Sequence, residues 1–402
     1  MFFFKFNAFH YAGIGSRKIH SELSVEMIKL GFSLALCGGV LESGAADGSD
    51  TSFEVGAKMA YDFMCSMDSS LPKDDYSRVM NVHLGWRGFN GRPASSGYDH
   101  SIPAQATSMT EPFHSGWGYL SDGAKQLMSR NIMQVLTRTL LDPVKFVMCF
   151  TADGAKKSVD TSSKTGGTGQ AIRIADHYNV NLTNLGNKED FSRAIAWRDE
   201  YFEKIKARYS IDLSSYVNEK ISSFTAFSNP YNGNLADILD GKDIDMIVHD
   251  CNIYNENKDA ASSIIFSEFP GAMVADKQTK SGNKKKIGTY SEFKSERNGK
   301  EFTVINAYTQ TVARDIQAGL GTDYEAVRAI FREINKQHRN KVIGIPRIGT
   351  FVGNGCWFTI SNIIKTELKN NSVVLIDDPS LLNLELQKKK NHHRNNQLEI
   401  DI

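Results

Sequence analysis

The stretch TGGTGQAIRIADHYNVNLTNL, residues 165–185, decides the fold. It opens on a glycine-rich turn. Apolar residues Ala171, Ile172, Ile174 and Ala175 then recur at helical spacing over Gln170–His177. An extended run, Val180–Leu185, follows, and the buried-type strand Lys145–Phe150 (KFVMCF) precedes the whole. Strand, glycine turn, helix and strand make a βαβ unit. Continuous apolar strands of this kind belong to parallel sheets covered by helices on both faces.

The same grammar extends upstream. Phe9–Ile14 reads as a strand, Ser21–Leu30 as a helix, Phe32–Cys37 as a strand and Thr51–Ala60 as a helix. A helix over Gly123–Leu140 leads into Lys145–Phe150. Residues 66–120 lack periodicity and are rich in Ser, Gly, Pro and aromatics; an insert of that length is usually functional, for instance a lid. Residues 190–227 are charged with helical period and read as a connector packed on one or both flanking domains.

Three glycine turns follow strands in this half: GIGSR (Gly13–Arg17), SGAADGSD (Ser43–Asp50) and TGGTGQ (Thr165–Gln170). In a parallel sheet all three lie at the carboxyl edge, where open α/β sheets bind ligands. Gly13, Gly15, Gly44, Gly166 and Gly167 would allow close backbone approach, and the helix starts behind them offer free N–H groups to a phosphate. Arg17 would add a bidentate contact, while Ser16, Ser43 and Thr168 could donate hydroxyls. Asp47 or Asp50 could accept from ribose hydroxyls, and Gln170 completes the third turn. There is no GxxxxGK[ST], and GIGSRK lacks the last glycine of GxGxxG, which argues against a P-loop and against a dehydrogenase-type NAD site.

The bulk numbers narrow the class. A chain of 402 residues with 41% hydrophobic content supports two or three packed domains. A net charge of +1 lacks the basic footprint of a protein whose main partner is duplex nucleic acid. Five cysteines without a CxxC argue against a disulfide framework or zinc site, and no metal or cofactor is implied. Neither a signal peptide nor a membrane-length apolar run is present, so a cytoplasmic protein is expected.

A second α/β unit begins near Asn229. Its strands read DMIVHDC, EFTVINAY, KVIGIPRI and SVVLID, and its helices DAASSIIFSEF, TDYEAVRAIFREINKQH and CWFTISNIIKTEL. Asp237 sits in a short turn ahead of the first strand, which ends on His249, Asp250, Cys251 and Asn252. The loop Gly349–Gly355 precedes a helix near Trp357 and suits a second phosphate-bearing ligand. His249 reads either as a base or as a packed structural histidine, and Asp237 either as a ligand acceptor or as a turn cap. The tail QKKKNHHRNNQLEIDI reads as solvated.

YAGIGSR, SGAADGSD-TSFE and TGGTGQAIRIA followed by VNLTNL resemble the SLOG superfamily, Rossmann-like domains related to DNA-processing protein A and the LOG phosphoribohydrolases. Such domains are common in tailed phages. The resemblance covers about residues 8–187 and implies nucleotide binding, with self-association through this domain a further implication. The LOG catalytic loop reads PGGxGTxxE; here Thr165 replaces proline and Gln170 and Arg173 stand where the chain should run toward the acid, which implies binding rather than cleavage.

Residues 231–377 resemble a macro domain of the ADP-ribose-1″-phosphatase and deacylating kind, through ADI, IVHDCN, VINAYTQ and IPRIGTFVGNGCW. That resemblance implies that Asp237 accepts from the adenine amino group beside Ile238. It implies that Asn252 holds the distal ribose, and that Gly349, Thr350, Phe351, Val352, Gly353, Asn354 and Gly355 wrap the diphosphate. Trp357 would begin the supporting helix, and Asn306 and Gln310 would shape the floor. If the unit is catalytic, His249, Asp250 and Asn252 would position water.

The expected architecture is α/β in two domains. A Rossmann-like doubly wound parallel sheet spans 1–190, a helical connector 191–228, a macro-domain α/β/α sandwich 229–380 and a polar tail 381–402. The expected function is recognition, and in an extended form processing, of ADP-ribose-type nucleotides, including cyclic isomers made from NAD in phage defence. The alternatives are a hydrolase of ADP-ribose-1″-phosphate or ADP-ribosyl esters, and a DNA-processing-type DNA binder. The expected location is host cytoplasm if the chain is phage-encoded.

Overall fold

The computed structural model describes residues 4–92, 95–225, 227, 231–241, 243–257, 259–297, 299–311, 321–350, 355–378 and 381. The chain divides into two compact units between Ser223 and Phe224. Both are α/β.

The first unit contains β1 (Lys5–Gly15), α1 (Ser21–Leu36), β2 (Cys37–Ser43), α2 (Ser49–Met67), β3 (Met80–His83), β4 (Tyr98–Asp99) and α3 (Ala104–Thr110). There follow α4 (Asp122–Leu136), β5 (Phe146–Phe150), α5 (Thr168–His177), β6 (Asn181–Asn184), α6 (Lys188–Tyr209) and α7 (Leu213–Thr225). The sheet runs β4-β3-β2-β1-β5-β6 with every pairing parallel. The chain starts in the middle and winds outward both ways, so the topological switch point lies at β1 and β5.

The strand expected at Phe32–Cys37 is instead the last turn of α1; the strand is Cys37–Ser43. The reason is burial on all sides. Phe32 meets Phe63 of α2, Phe202 of α6 and Tyr216 of α7 at 5.9–6.3 Å, so this helix shows no polar face to reveal its period. Gly56 lets α1 and α2 close up: a Cβ there would stand 2.2 Å from Ile28 O. The helices expected as a connector lie on the first unit, with Arg198 of α6 paired to Glu26. The 66–120 insert is partly regular. It adds β3 and β4 to the sheet, and α3 packs on α4 through Thr107 Oγ1 and Ser129 Oγ at 3.0 Å. The helix expected to reach Leu140 stops at Leu136, because Thr137 and Leu140 take φ of 54° and 60°.

Inside this sheet Glu42 is fully buried, bonded to His10 Nδ1 at 2.7 Å, His83 Nε2 at 2.6 Å and Asn81 Nδ2 at 2.8 Å. Burial pushes its carboxyl up, but these donors outweigh it and hold the carboxyl below its usual range. A carboxyl held low stabilises the fold above its ordinary 4.5, and that contribution is lost as pH falls. Glu42→Gln removes the charge that both histidines face and is expected to cost about 3 kcal/mol in urea unfolding at pH 7. A loss below about 1 kcal/mol would show that the cluster contributes little.

The second unit contains β7 (Tyr231–Asn232), α8 (Leu235–Gly241), β8 (Met246–Asn252), α9 (Ala260–Glu268), α10 (Pro270–Lys277), β9 (Tyr290–Arg297) and β10 (Lys300–Gln310). It closes with α11 (Tyr324–Gln337), β11 (Val342–Pro346), α12 (Trp357–Glu367) and β12 (Ser372–Asp377). The order is β7-β12-β11-β8-β10-β9, parallel except for the β9–β10 hairpin. Strand β9, YSEFKSER, escaped the sequence reading because a charged edge strand carries little apolar signal. Among the described residues no helix is long and apolar enough to cross a membrane, and no cluster of His, Cys, Asp and Glu could hold a metal.

Candidate functional site

The carboxyl ends of β1, β2 and β5 carry the three glycine turns of the first unit, as parallel pairing requires. The glycines do not share one role. A Cβ on Gly13 would stand 2.5 Å from Leu41 Cδ1, one on Gly15 2.7 Å from Phe150 N, and one on Gly44 2.2 Å from Gln134 Nε2. These three exist for packing. Gly166, at φ +64°, is exposed and would meet nothing within 4 Å, and Gly167 is exposed at the start of α5. Only this third turn keeps its backbone open to an incoming group.

Several side chains expected to face a ligand hold the turns instead. Ser43 Oγ donates to Gly13 O at 2.7 Å, and Ser16 Oγ accepts from Lys18 N at 3.0 Å. Asp47 is buried. Asp50, at the start of α2, accepts from Gly15 N at 3.1 Å, Gly44 N at 3.1 Å and Ala46 N at 3.4 Å. One carboxylate thus ties the first turn to the second, and a ribose role is replaced by a structural one. Burial pushes the Asp50 carboxyl up to about 6, against Arg130 and the three N–H groups. Arg17 is exposed at the edge, and Thr168 is half-buried at the first residue of α5.

The sequence reading missed Arg130. This side chain of α4 is buried, donates from Nη1 to Gly44 O and faces Asp50. Burial pushes its guanidinium down to about 10. One residue on, Asn131 Nδ2 donates to Gln170 Oε1 at 2.8 Å. Arg130 Nε and Gln170 Nε2 are buried with no partner among the described residues. Gln170 lies behind the open third turn and Arg130 against Gly44 of the second, and two orphan donors there suit an acceptor-rich or anionic group. The available signal was an arginine two residues ahead of the mostly apolar helical run IMQVL, which charge patterning alone did not separate from a solvated position.

In the second unit, β7, β12, β11 and β8 are neighbours with their carboxyl ends on one edge. Asp237 lies in the first turn of α8, exposed, and in a helix rather than the expected turn. Leu235 N and Ala236 N at that helix start are capped by Asp378 Oδ2 and Asn234 Oδ1, both at 2.9 Å, so Asp237 is not the cap. Off β11, Gly349 takes φ +71°, its N–H donates to Asp250 Oδ2 at 3.0 Å, and its carbonyl accepts from Gly355 N at 2.7 Å and Thr322 Oγ1 at 2.8 Å. The loop is thereby clamped at its base, ahead of α12. Thr350 Oγ1 turns back to Arg347 O at 2.7 Å. Phe351, Val352, Gly353, Asn354 and the Ile238 side chain lie outside the described residues. Gln310 Nε2 donates to Asp250, so both sit on the floor beside the loop.

His249 and Asn252 do not meet the expectation of catalytic residues. His249 is fully buried; Asn306 Oδ1, which can only accept, takes its Nε2 proton at 2.7 Å, and Ser262 Oγ meets Nδ1 at 3.0 Å. Burial holds its ring neutral, below the usual range. Asn252 uses its amide to close its own loop: Nδ2 donates to Glu256 O at 2.9 Å and Oδ1 accepts from Tyr254 N at 2.8 Å. Asp250 alone of the three stays half-buried at the sheet edge. A buried network around Asp276, joined to Tyr308 Oη at 3.0 Å and Asn257 Nδ2 at 2.9 Å, holds that loop against β10 and α10.

No family model matches the chain. Structural likeness is found to a protein from Bacteroides thetaiotaomicron (23% identity, TM-score 0.32), covering 37% of this chain and 99% of that one. A macrodomain protein from Streptomyces coelicolor gives 18% identity and a TM-score of 0.29 over 37% of this chain and 99% of that one. DarTG of Thermosipho africanus, solved with ADP-ribose, gives 13% and 0.28 over 34% and 39%. In sequence, 141 residues are 30% identical to the uncharacterized 17.5 kDa protein in the tk–vs intergenic region of Enterobacteria phage T4, covering 34% of this chain and 88% of that protein. The chain belongs to the family of that phage T4 protein.

Proposed function

We propose that the chain recognises ADP-ribose-type nucleotides, with the second unit acting as a macro domain and the first as a SLOG-like nucleotide domain. One observation carries this reading. Asp237, the clamped Gly349–Gly355 turn and Asp250 follow one another along a single sheet edge, from β7 to β8. Four neighbouring strands span about 14 Å. That length suits an extended nucleoside diphosphate sugar, with its base at the acid and its diphosphate over the glycine turn. The orphan donors Arg130 and Gln170 support a separate phosphate-bearing ligand on the first unit. The relationship to a phage protein motivates the extension to capture of NAD-derived defence signals.

Titration calorimetry of the full chain with ADP-ribose and cyclic ADP-ribose tests this. Asp237→Ala is expected to weaken ADP-ribose at least tenfold without changing the melting temperature, since Asp237 is exposed and not a cap. No binding of either nucleotide would end the reading. Hydrolysis would have to rest on Asp250, the one of His249, Asp250 and Asn252 that is not buried, with its Oδ2 held by Gly349 N and Gln310 Nε2.

A further inference from the structure

Residues 85–92, within the insert, cross over the second glycine turn and are anchored there. Asn90 Nδ2 donates to Ala45 O at 3.0 Å. Arg92 forms a buried pair with Glu54 at 2.9 Å, bonds Thr51 Oγ1 at 2.9 Å and caps Asn90 O at 2.9 Å. The segment also lies along one stripe of α4. Gly123 is beside the Trp86 ring, Leu127 beside Gly85 and Phe89, and the Arg130 guanidinium is 4.8 Å from the Phe89 ring centre. These positions recur at i, i+4 and i+7, a single helix face. The neighbouring face holds Met128 beside Gly167 and Asn131 on Gln170.

Helix α4 leads into β5, so its N-terminus lies at the carboxyl edge, with the glycine turns. Trp86 stands at that end, 43% exposed, its ring braced perpendicular to Phe89 at 4.9 Å. The orphan donor Arg130 Nε lies deeper along the same helix, and the orphan donor Gln170 Nε2 lies on α5, whose Gln170 Oε1 accepts from Asn131 of α4. From Gly123 to Arg130 the helix rises about 10 Å. We propose that Trp86 is a stacking platform for the planar ring of a ligand whose anionic group is held by Arg130 and Gln170. The ligand class is a nucleoside monophosphate or a molecule containing one. This rests on the nucleotide reading of the first unit and adds what reads the base. The insert then supplies selectivity, through a ring braced on Phe89 in a segment anchored by a buried ion pair, rather than through the glycine turns.

The test uses the full chain, with AMP and ribose 5-phosphate as probes, and the Trp86→Ala, Trp86→Phe and Arg130→Gln variants. Base–aromatic stacking is worth enough that Trp86→Ala should weaken AMP at least tenfold, with Trp86→Phe within about threefold of the native chain. Ribose 5-phosphate, which has no ring to stack, should bind Trp86→Ala as it binds the native protein. Arg130→Gln should weaken both probes; if that variant unfolds, Gln170→Leu takes its place. AMP should also quench the emission lost in Trp86→Phe. Equal AMP affinity in Trp86→Ala and the native chain overturns the platform, and if Arg130→Gln still weakens AMP, the nucleotide reading stands. Failure of both probes to bind, or binding untouched by Arg130 and Gln170 variants, removes both.

Discussion

Replacing Asp50 by alanine is expected to cost about 3–5 kcal/mol of stability and to abolish nucleotide binding by the first unit. The carboxylate accepts from Gly15, Gly44 and Ala46, so its loss leaves N–H groups of two turns and the Arg130 guanidinium without their shared acceptor. Denaturant unfolding at pH 7 reads the first effect, and AMP titration of the folded fraction the second. The pH dependence carries its own sign. A carboxyl raised from 3.8 to about 6 binds its proton more tightly in the folded state. The proton-linked part of its contribution is therefore full below pH 3.8 and lost as pH rises through about 6, leaving at pH 7 the hydrogen bonds of the carboxylate. Asp50→Asn removes this titration, so the native-minus-variant stability difference should fall as pH rises across that window. A pH-independent difference would mean that Asp50 titrates as an ordinary exposed acid.

Replacing His249 by alanine is expected to cost about 3 kcal/mol, through a cavity and the orphaned Asn306 and Ser262 groups. ADP-ribose affinity per folded molecule should stay within about twofold, because the ring has no exposed atom with which to touch a ligand. Here the sign is opposite to that of Asp50. A histidine kept neutral by burial stabilises the fold above its ordinary 6.5, and that contribution is lost as pH falls below it. Loss of affinity with full stability would restore His249 to the site.

What was legible depended on how local the signal was. The glycine turns and the apolar run of β5 announce themselves within a few residues, so the parallel α/β class followed from them. Helix α1 runs past its sequence pattern because its end is covered by α2, α6 and α7, and a helix buried on every side has no polar stripe. Asp50 was legible as a residue of the edge but not in its role, since a carboxylate before a helix looks alike whether it faces ribose or backbone. Arg130 was not legible at all: its partner Gly44 lies 86 residues away. Strand β9 waited on its hairpin with β10.

The sequence by itself determined the two α/β units and the edge of each sheet that gathers glycine turns, because strand and helix periods and turn chemistry are written in neighbouring residues. Only the tertiary structure decided which of those groups remain open. It occupied Asp50, Ser43, His249 and Asn252 in the protein's own hydrogen bonds, and left Gly166, Gly167, Asp237 and Trp86 exposed. The physical reason is that a polar group's availability depends on what faces it across the fold. A buried donor or acceptor must find a partner, and that partner comes from a part of the chain no local pattern can name.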